Sequence, residues 1–274
     1  MTSLQRQPGP RHWVSSPLLR GSVALHAAAL AAIALRPRTW PWALAALVLD
    51  HAVLTGAGLW PRSRLLGPNW VRLPPASAAR GEVAVTVDDG PDPEITPQVL
   101  EQLARFEVSA TFFCVGERVE RYPVLARAIL AGGHRIENHT QRHRHTFSLL
   151  GPRGLRTEIV AAQESIARIV GVAPVFFRAP AGLRNPFLEP VLSSVGLQLT
   201  SWTRRGFDTL NRDAAAVHRR LTGSLRAGDI LLLHDGHAAR TASGAPVILE
   251  VLPRLLETLR AAQLRPVTLR AALA

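Results

Sequence analysis

The feature that most limits how this chain can fold is a series of short apolar runs that end on chemically active residues. Residues 83–87 run into Asp88-Asp89-Gly90, and residues 135–139 end on His139. Residues 175–177 run into Arg178-Ala179-Pro180-Ala181-Gly182. Residues 198–202 close on Trp202 and continue through Arg205-Gly206-Phe207 to Asp208, and residues 229–233 run into His234-Asp235-Gly236. Polar residues at the C-terminal ends of successive strands are where a β/α barrel builds its site. Strands are expected at 83–87, 109–115, 135–139, 175–179, 198–202, 229–234 and 265–269. Helices are expected between them at 96–106, 118–131, 154–170, 186–195, 212–226 and 246–262. Asp213 is placed to cap the fifth of these helices, and Gly132-Gly133 to end the second. Such alternation implies a parallel sheet, closed or nearly closed on itself.

Two of these run-ends belong together. Asp88 and Asp89 are adjacent, and His139 and His143 stand four apart, so the histidines share a face if the chain turns helically after His139. Alone, Asp-Asp-Gly is a solvated turn and His-x-x-x-His a surface pair. Together they offer one Asp and two His to a divalent metal that keeps an open position, with a second Asp left over as a base.

The motifs resemble those of the polysaccharide deacetylase family, the metal-dependent chitin, chito-oligosaccharide, xylan and peptidoglycan deacetylases. The family's Thr-Phe-Asp-Asp-Gly reads Thr86 to Gly90 here, with Val87 for Phe. Its His-Ser/Thr-x-x-His is His139, Thr140 and His143. Its Arg-x-Pro-x-Gly is Arg178, Pro180 and Gly182, and its Leu-x-His is Leu232 and His234. The similarity spans residues 80–270. It implies a distorted barrel of about seven parallel strands that hydrolyses an N-acyl group from an amino sugar. Asp89, His139 and His143 are then the metal ligands, with Zn2+ the default and Co2+, Ni2+, Mn2+ or Fe2+ compatible. Asp88 is the general base, oriented by Arg178. His234 is the general acid, with Asp208 or Asp235 as its partner. Pro180, Trp202 and Leu232 bind substrate, the last two around the acetyl methyl. The chain departs from the family at Ala181, where an aromatic is common, and in the register of Trp202 relative to Asp208. A non-catalytic glycan-binding module would have lost a ligand or the acid, and every such position is filled.

The N-terminal 60 residues read as a basic arm followed by a membrane hairpin. Residues 22–35 form a first apolar run, short for a span. Arg36-Pro37-Arg38 breaks it, and residues 41–60 form a second, flanked by Trp40, Trp42 and Trp60. Asp50 and His51 fall in its middle, where charge is costly, so they must face each other, the first helix or a partner. Residues 61–80 are expected to link the hairpin to a catalytic barrel at 81–274. With both runs spanning, Arg6, Arg11 and Arg20 share a side with Arg62, Arg64, Arg72 and Arg80, against Arg36 and Arg38. That count favours a cytoplasmic barrel, whereas most of the family acts outside, so the chain is expected at the membrane with its face open. The substrate is a glycan or a lipid-linked amino sugar.

The formal charge is +12, and there is no lysine. Without a basic stripe interleaved with aromatics, a zinc finger or a helix-turn-helix, nucleic acid is excluded as a partner. The single cysteine, Cys114, permits no intrachain disulfide and reads as a small buried hydrophobe. Asp92 reads as a turn cap and His145 as a loop residue. His134, His237 and Glu137 are given no chemistry.

Overall fold

The computed structural model describes residues 9–273, so Arg6 lies outside the described residues. Two long helices come first, α1 over Pro17–Leu35 and α2 over Trp40–Leu59, joined by a 3-10 turn at Pro37–Thr39. The Ser16 hydroxyl accepts from Leu19 N at 3.3 Å, and Pro17 takes a position that needs no amide hydrogen. That cap starts α1 at Pro17 rather than at residue 22 and makes it 19 residues long. The first run is therefore not too short: both helices are long and apolar enough to cross a membrane. Arg20 falls inside α1. Ser22 Oγ donates to Asp50 Oδ2 at 2.7 Å, and the His26 and His51 rings meet edge to face at 5.3 Å. Asp50 and His51 of α2 thus find partners on α1, while Val23, Leu30, Val48 and Leu49 stay exposed.

A short helix, α3 (Pro75–Ala79), leads into β1 (Glu82–Asp88). There follow α4 (Thr96–Arg105), β2 (Thr111–Cys114), α5 (Gly116–Arg121), α6 (Pro123–Ala131), β3 (Arg135–Asn138) and α7 (Pro152–Val170). Then come β4 (Phe176–Phe177), α8 (Leu188–Ser194), β5 (Gln198–Leu199), β6 (Arg204–Arg205), α9 (Ala214–Thr222), β7 (Ile230–His234), α10 (Val247–Ala261) and β8 (Arg265–Pro266). The strands run parallel in the order β5-β4-β3-β2-β1-β7-β6, with β8 beside the start of β1. This is a seven-stranded parallel half-barrel. Its end strands do not pair. Residues 70–73 lie at the seam instead: Trp70 N donates to Leu199 O at 3.0 Å and Trp70 O accepts from Ser201 N at 2.8 Å, while Leu73 N donates to Gly228 O at 2.9 Å.

Several expected boundaries shift. The strand expected at 198–202 stops at Leu199. The chain crosses the seam without a helix and re-enters the sheet as β6, which the alternation does not reveal. The strand expected at 265–269 pairs over two residues only. The helix expected at 118–131 is two helices, because Pro123 starts α6 without an amide hydrogen for α5 to continue. Residues 61–80 pack on the barrel rather than merely linking to it: Arg72 pairs with the buried Asp229 at 2.7 Å, and Leu66, Leu73 and Ser77 are buried. Asp213 does cap α9, accepting from Ala215 N and Ala216 N.

The period of two along each strand sorts side chains between layers. Val83, Val85, Val87, Leu231 and Leu233 meet Val99, Leu103, Val251 and Leu255 of the outer helices. Each buried aliphatic of this kind contributes about 1.5–3 kcal/mol. Ala84, Phe113, Phe176, Ile230 and Leu232 fill the interior. Thr86, Asp88 and His234 lie on that inner face, at the open C-terminal end.

Candidate active site

Asp88 ends β1, and its Cα partner across β7 is His234. Strict alternation would send Asp89 outward to the helices. Its backbone instead turns left-handed, with φ 76°, a conformation Asp adopts more readily than most residues. Both carboxylates therefore line one cavity of about 230 Å3, together with His139, His143, Trp202 and His234.

Arg178 leaves β4 into the barrel and is fully buried. Its Nη1 donates to Asp88 Oδ1 at 2.6 Å and to Thr86 Oγ1 at 2.8 Å. Its Nη2 donates to Ser201 O at 2.9 Å and its Nε to Thr200 O at 3.3 Å. The Phe113 ring lies 4.0 Å from the guanidinium carbon. Every nitrogen of the fork is used, which is what a buried guanidinium requires. Asp88 Oδ1 is held, and Asp88 Oδ2 is left 3.9 Å from His139 Nε2.

His139 follows β3, but the segment after it is not helical. Thr140 and His143 both have positive φ, and side chains shape the turn: Asn138 Oδ1 accepts from Thr140 N, and Thr140 Oγ1 accepts from His143 N at 2.9 Å. The two histidines converge through this loop rather than through a shared helix face. His139 Nδ1 donates to Arg178 O at 2.8 Å, which leaves Nε2 as a bare lone pair. His139 Nε2 and His143 Nε2 lie 3.2 and 3.1 Å from Asp89 Oδ1, a buried oxygen with no regular hydrogen bond. Ligand atoms from Asp89, His139 and His143 all fall within 4.8 Å of one another. One carboxylate oxygen and imidazole nitrogens converging this closely make a donor set that fits a divalent cation. Burial pushes the Asp89 carboxyl up, but the close approach of His139, His143 and His237 outweighs it and holds Asp89 well below the usual carboxylate range.

On the opposite wall, His234 Nδ1 lies 2.8 Å from Asp208 Oδ1, and Asp208 Oδ2 accepts from His234 N at 2.7 Å. Burial alone would lower the pKa of His234. The charge of Asp208 and its hydrogen bond, then the charges of Asp89 and Asp88, raise it to about 9. Asp235, the other candidate partner, turns away: its Oδ2 accepts from Thr96 Oγ1 at 2.5 Å, and burial pushes its pKa to about 7. The reason is local, since Asp235 is one residue beyond His234 and falls on the outer face of the strand end.

Trp202 and Leu232 line the cavity, whereas Pro180 does not; its neighbours Ala179 and Ala181 do. The turn Pro180–Gly182 presses Gly182 on Trp202 and Pro61. A Cβ there would lie 2.6 Å from atoms of each, and φ is +74°. His237 is the residue that sequence reasoning missed. Its Nδ1 is 3.3 Å from Asp89 Oδ2 and its ring centroid 6.2 Å from that of His143. Its place just past the end of the strand that carries His234 was the available signal. Arg205 and Thr209 also line the cavity. His145 reaches the rim but is exposed. Asp92 caps a turn, accepting from Glu94 N and Ile95 N. Glu137 anchors β4 by accepting from Val175 N and Phe176 N. His134 is buried and accepts from Ala110 N, and burial lowers its pKa to about 4.

Comparison with known proteins agrees with this geometry. The polysaccharide deacetylase family profile matches residues 76–200. A peptidoglycan-N-acetylglucosamine deacetylase of Bacillus cereus is 35% identical over 175 residues, covering 63% of this chain and 81% of that one. A chitooligosaccharide deacetylase of Sinorhizobium fredii is 33% identical over 165 residues, 60% of this chain and 76% of the other. The solved structure of a family 4 carbohydrate esterase from Streptomyces lividans, in complex with acetate, superposes with a TM-score of 0.61 at 31% identity, over 68% of this chain and 91% of that one. With the ordered motifs, the half-barrel and these relatives agreeing, the chain belongs to the polysaccharide deacetylase family.

Proposed function

We propose that this chain is a membrane-anchored, metal-dependent N-deacetylase of amino-sugar glycans, in which Asp89, His139 and His143 hold the ion, Asp88 is the general base and His234 the general acid. The observation that carries the reading is the arrangement in the cavity. A three-residue donor set lies between a carboxylate clamped by Arg178 and a histidine paired to Asp208. Asp89, His139 and His143 would hold a divalent ion, zinc by preference, which would supply Lewis acidity toward an acyl oxygen and a water. Asp88 Oδ2 takes the proton of the attacking water as the water oxygen bonds to the amide carbon. Protonated His234 gives its Nε2 proton to the sugar nitrogen, the carbon–nitrogen bond breaks, and acetate and a free amine leave. Trp202 and Leu232 enclose the space for the acetyl methyl. The printed names of the relatives, peptidoglycan-N-acetylglucosamine and chitooligosaccharide deacetylases, support an N-acetylated amino sugar as the substrate. Two apolar helices of membrane-spanning length support an anchored enzyme.

Acetate release from chito-oligosaccharide, peptidoglycan and lipid-linked amino sugar tests the reading. Release should stop on chelation and return with added zinc, and His143→Ala should lose stoichiometric metal and nearly all turnover while keeping its fold. Chelator-resistant release, or full turnover in His143→Ala, would sink it.

A further inference from the structure

We propose that a groove beside the catalytic cavity binds the phosphate that joins an amino sugar to a membrane lipid, making a lipid-linked amino sugar the substrate; this rests on the deacetylase reading above. The groove has a volume of about 500 Å3 and is lined by Trp60, Arg62, Trp202, Arg205, Phe207 and Arg220. Trp202 and Arg205 also line the catalytic cavity, so the two spaces share a wall.

The arginines here divide into two kinds. Arg204 is engaged: its Nε binds Asp229 at 3.2 Å, and its other nitrogens donate to the carbonyls of Gly223 and Ser224. Arg62, Arg205 and Arg220 have no carboxylate within 4.0 Å among the described residues. Arg205 and Arg220 lie instead on the Phe207 ring at 4.9 and 5.4 Å, and Arg205 lies 5.4 Å from the Trp202 ring. Arg205 Nε is buried without a hydrogen-bond partner. Clustered cations with no acid repel one another. A phosphate diester relieves that repulsion and matches the guanidinium fork. A neutral polysaccharide offers these arginines hydrogen-bond acceptors but no opposing charge.

Position argues for a lipid-borne phosphate. Trp60 is the C-cap of α2, where a membrane-crossing helix leaves the lipid, and Trp favours that depth. The next residue, Pro61, packs at Gly182 on the rim of the catalytic cavity. The last turns of α2 also border an apolar groove of about 620 Å3, formed with Leu19, Leu149, Leu183 and Phe187. Leu183 follows Gly182 directly, so a hydrocarbon chain there would end near the same rim. Volumes of this size are ordinary for ligand sites.

The test uses full-length protein in phosphatidylcholine nanodiscs and two substrates: N-acetylglucosamine joined to a geranyl chain through a phosphate, and the same pair joined by a neutral glycosidic bond. Acetate release gives kcat/KM for each. The phosphate substrate should be preferred by on the order of tenfold. In Arg62→Gln/Arg220→Gln the ratio should fall to near one, through KM. Equal values in the wild type, or an unchanged ratio in the variant, overturn the proposal. Quenching of tryptophan fluorescence by geranyl phosphate reads the groove without turnover. Quenching without acetate release from either substrate would remove the deacetylase reading and leave the phosphate site standing. Equal release from both substrates without quenching would do the reverse. Quenching by phosphatidylglycerol discs alone would assign the arginines to bulk lipid and overturn the assignment to substrate.

Discussion

Asp88 and His234 face each other across one register step of the sheet, yet their neighbours suit them to opposite tasks. Arg178 clamps one oxygen of Asp88 and leaves the other toward the cavity. Asp88→Asn keeps that shape but has no oxygen basic enough to take a proton. It should retain metal and lose kcat by on the order of 100-fold or more; a near wild-type rate with a flat pH profile would remove Asp88 as the base. His234 carries a pKa of about 9 against an ordinary 6.5. The raised value means its proton is present at neutral pH and is lost as pH rises through about 9, so kcat/KM should fall on that alkaline limb. Asp208→Asn removes the charge that raises the value while burial, which lowers it, remains. The limb should then move to lower pH by about one unit or more, and an unmoved limb would separate Asp208 from the acid's task.

Elements matter here mainly at their ends. β1 and β7 deliver Asp88 and His234 because both residues sit on the inner face of the sheet. Asp89 joins them only through its left-handed turn. Gly182 plays a comparable part for the segment after β4: it lets that turn approach Pro61 and Trp202 closely enough to join the end of α2 to the cavity rim. Gly182→Ala adds a Cβ with nowhere to go at a positive φ. It should cost about 1–3 kcal/mol and raise KM; an unchanged Tm and KM would show that the rim yields easily.

At the scale of the whole molecule, the N-terminal residues grip the barrel as well as preceding it. Arg11 binds the buried Glu189 at 3.1 Å, Arg11 N donates to Ser193 O at 2.8 Å, and Gly58 O accepts from Arg184 N at 3.1 Å. Burial pushes the Glu189 carboxyl up, and Arg11 opposes that push. Deleting residues 1–60 should nevertheless leave hydrolysis of small soluble substrates, because every residue assigned to the metal, the base or the acid lies beyond residue 80. The same deletion should lower stability by about 1–3 kcal/mol as Glu189 loses its charged partner, and Glu189→Gln in the truncated chain should recover part of the loss. Thermal unfolding of the two truncated forms decides this, and equal Tm values would count against it. Full-length protein should remain in the membrane fraction after a carbonate wash, and release into the wash would mean that α1 and α2 do not span.

Local sequence alone determined most of the alternation of strands and helices and the residue types that gather at the C-terminal rim. Those follow from periodicity and from chemistry carried at run-ends, so Asp88, Asp89, His139 and His143 were legible one by one, and Arg178 and His234 through the resemblance of their motifs. The tertiary structure decided what depends on chain crossings and left-handed backbone turns. Asp208 rather than Asp235 reaches His234, because one residue along a strand end changes the face. His139 and His143 meet through a loop whose positive φ angles no spacing encodes. The strand at Arg204–Arg205 exists because the chain, after crossing the seam, pairs there with Leu231 and Leu232 of β7, which lie far away in sequence. His237 enters the cavity and Pro180 stays out of it for the same reason: past a strand's end the period of two no longer applies, and packing alone sets where a side chain points.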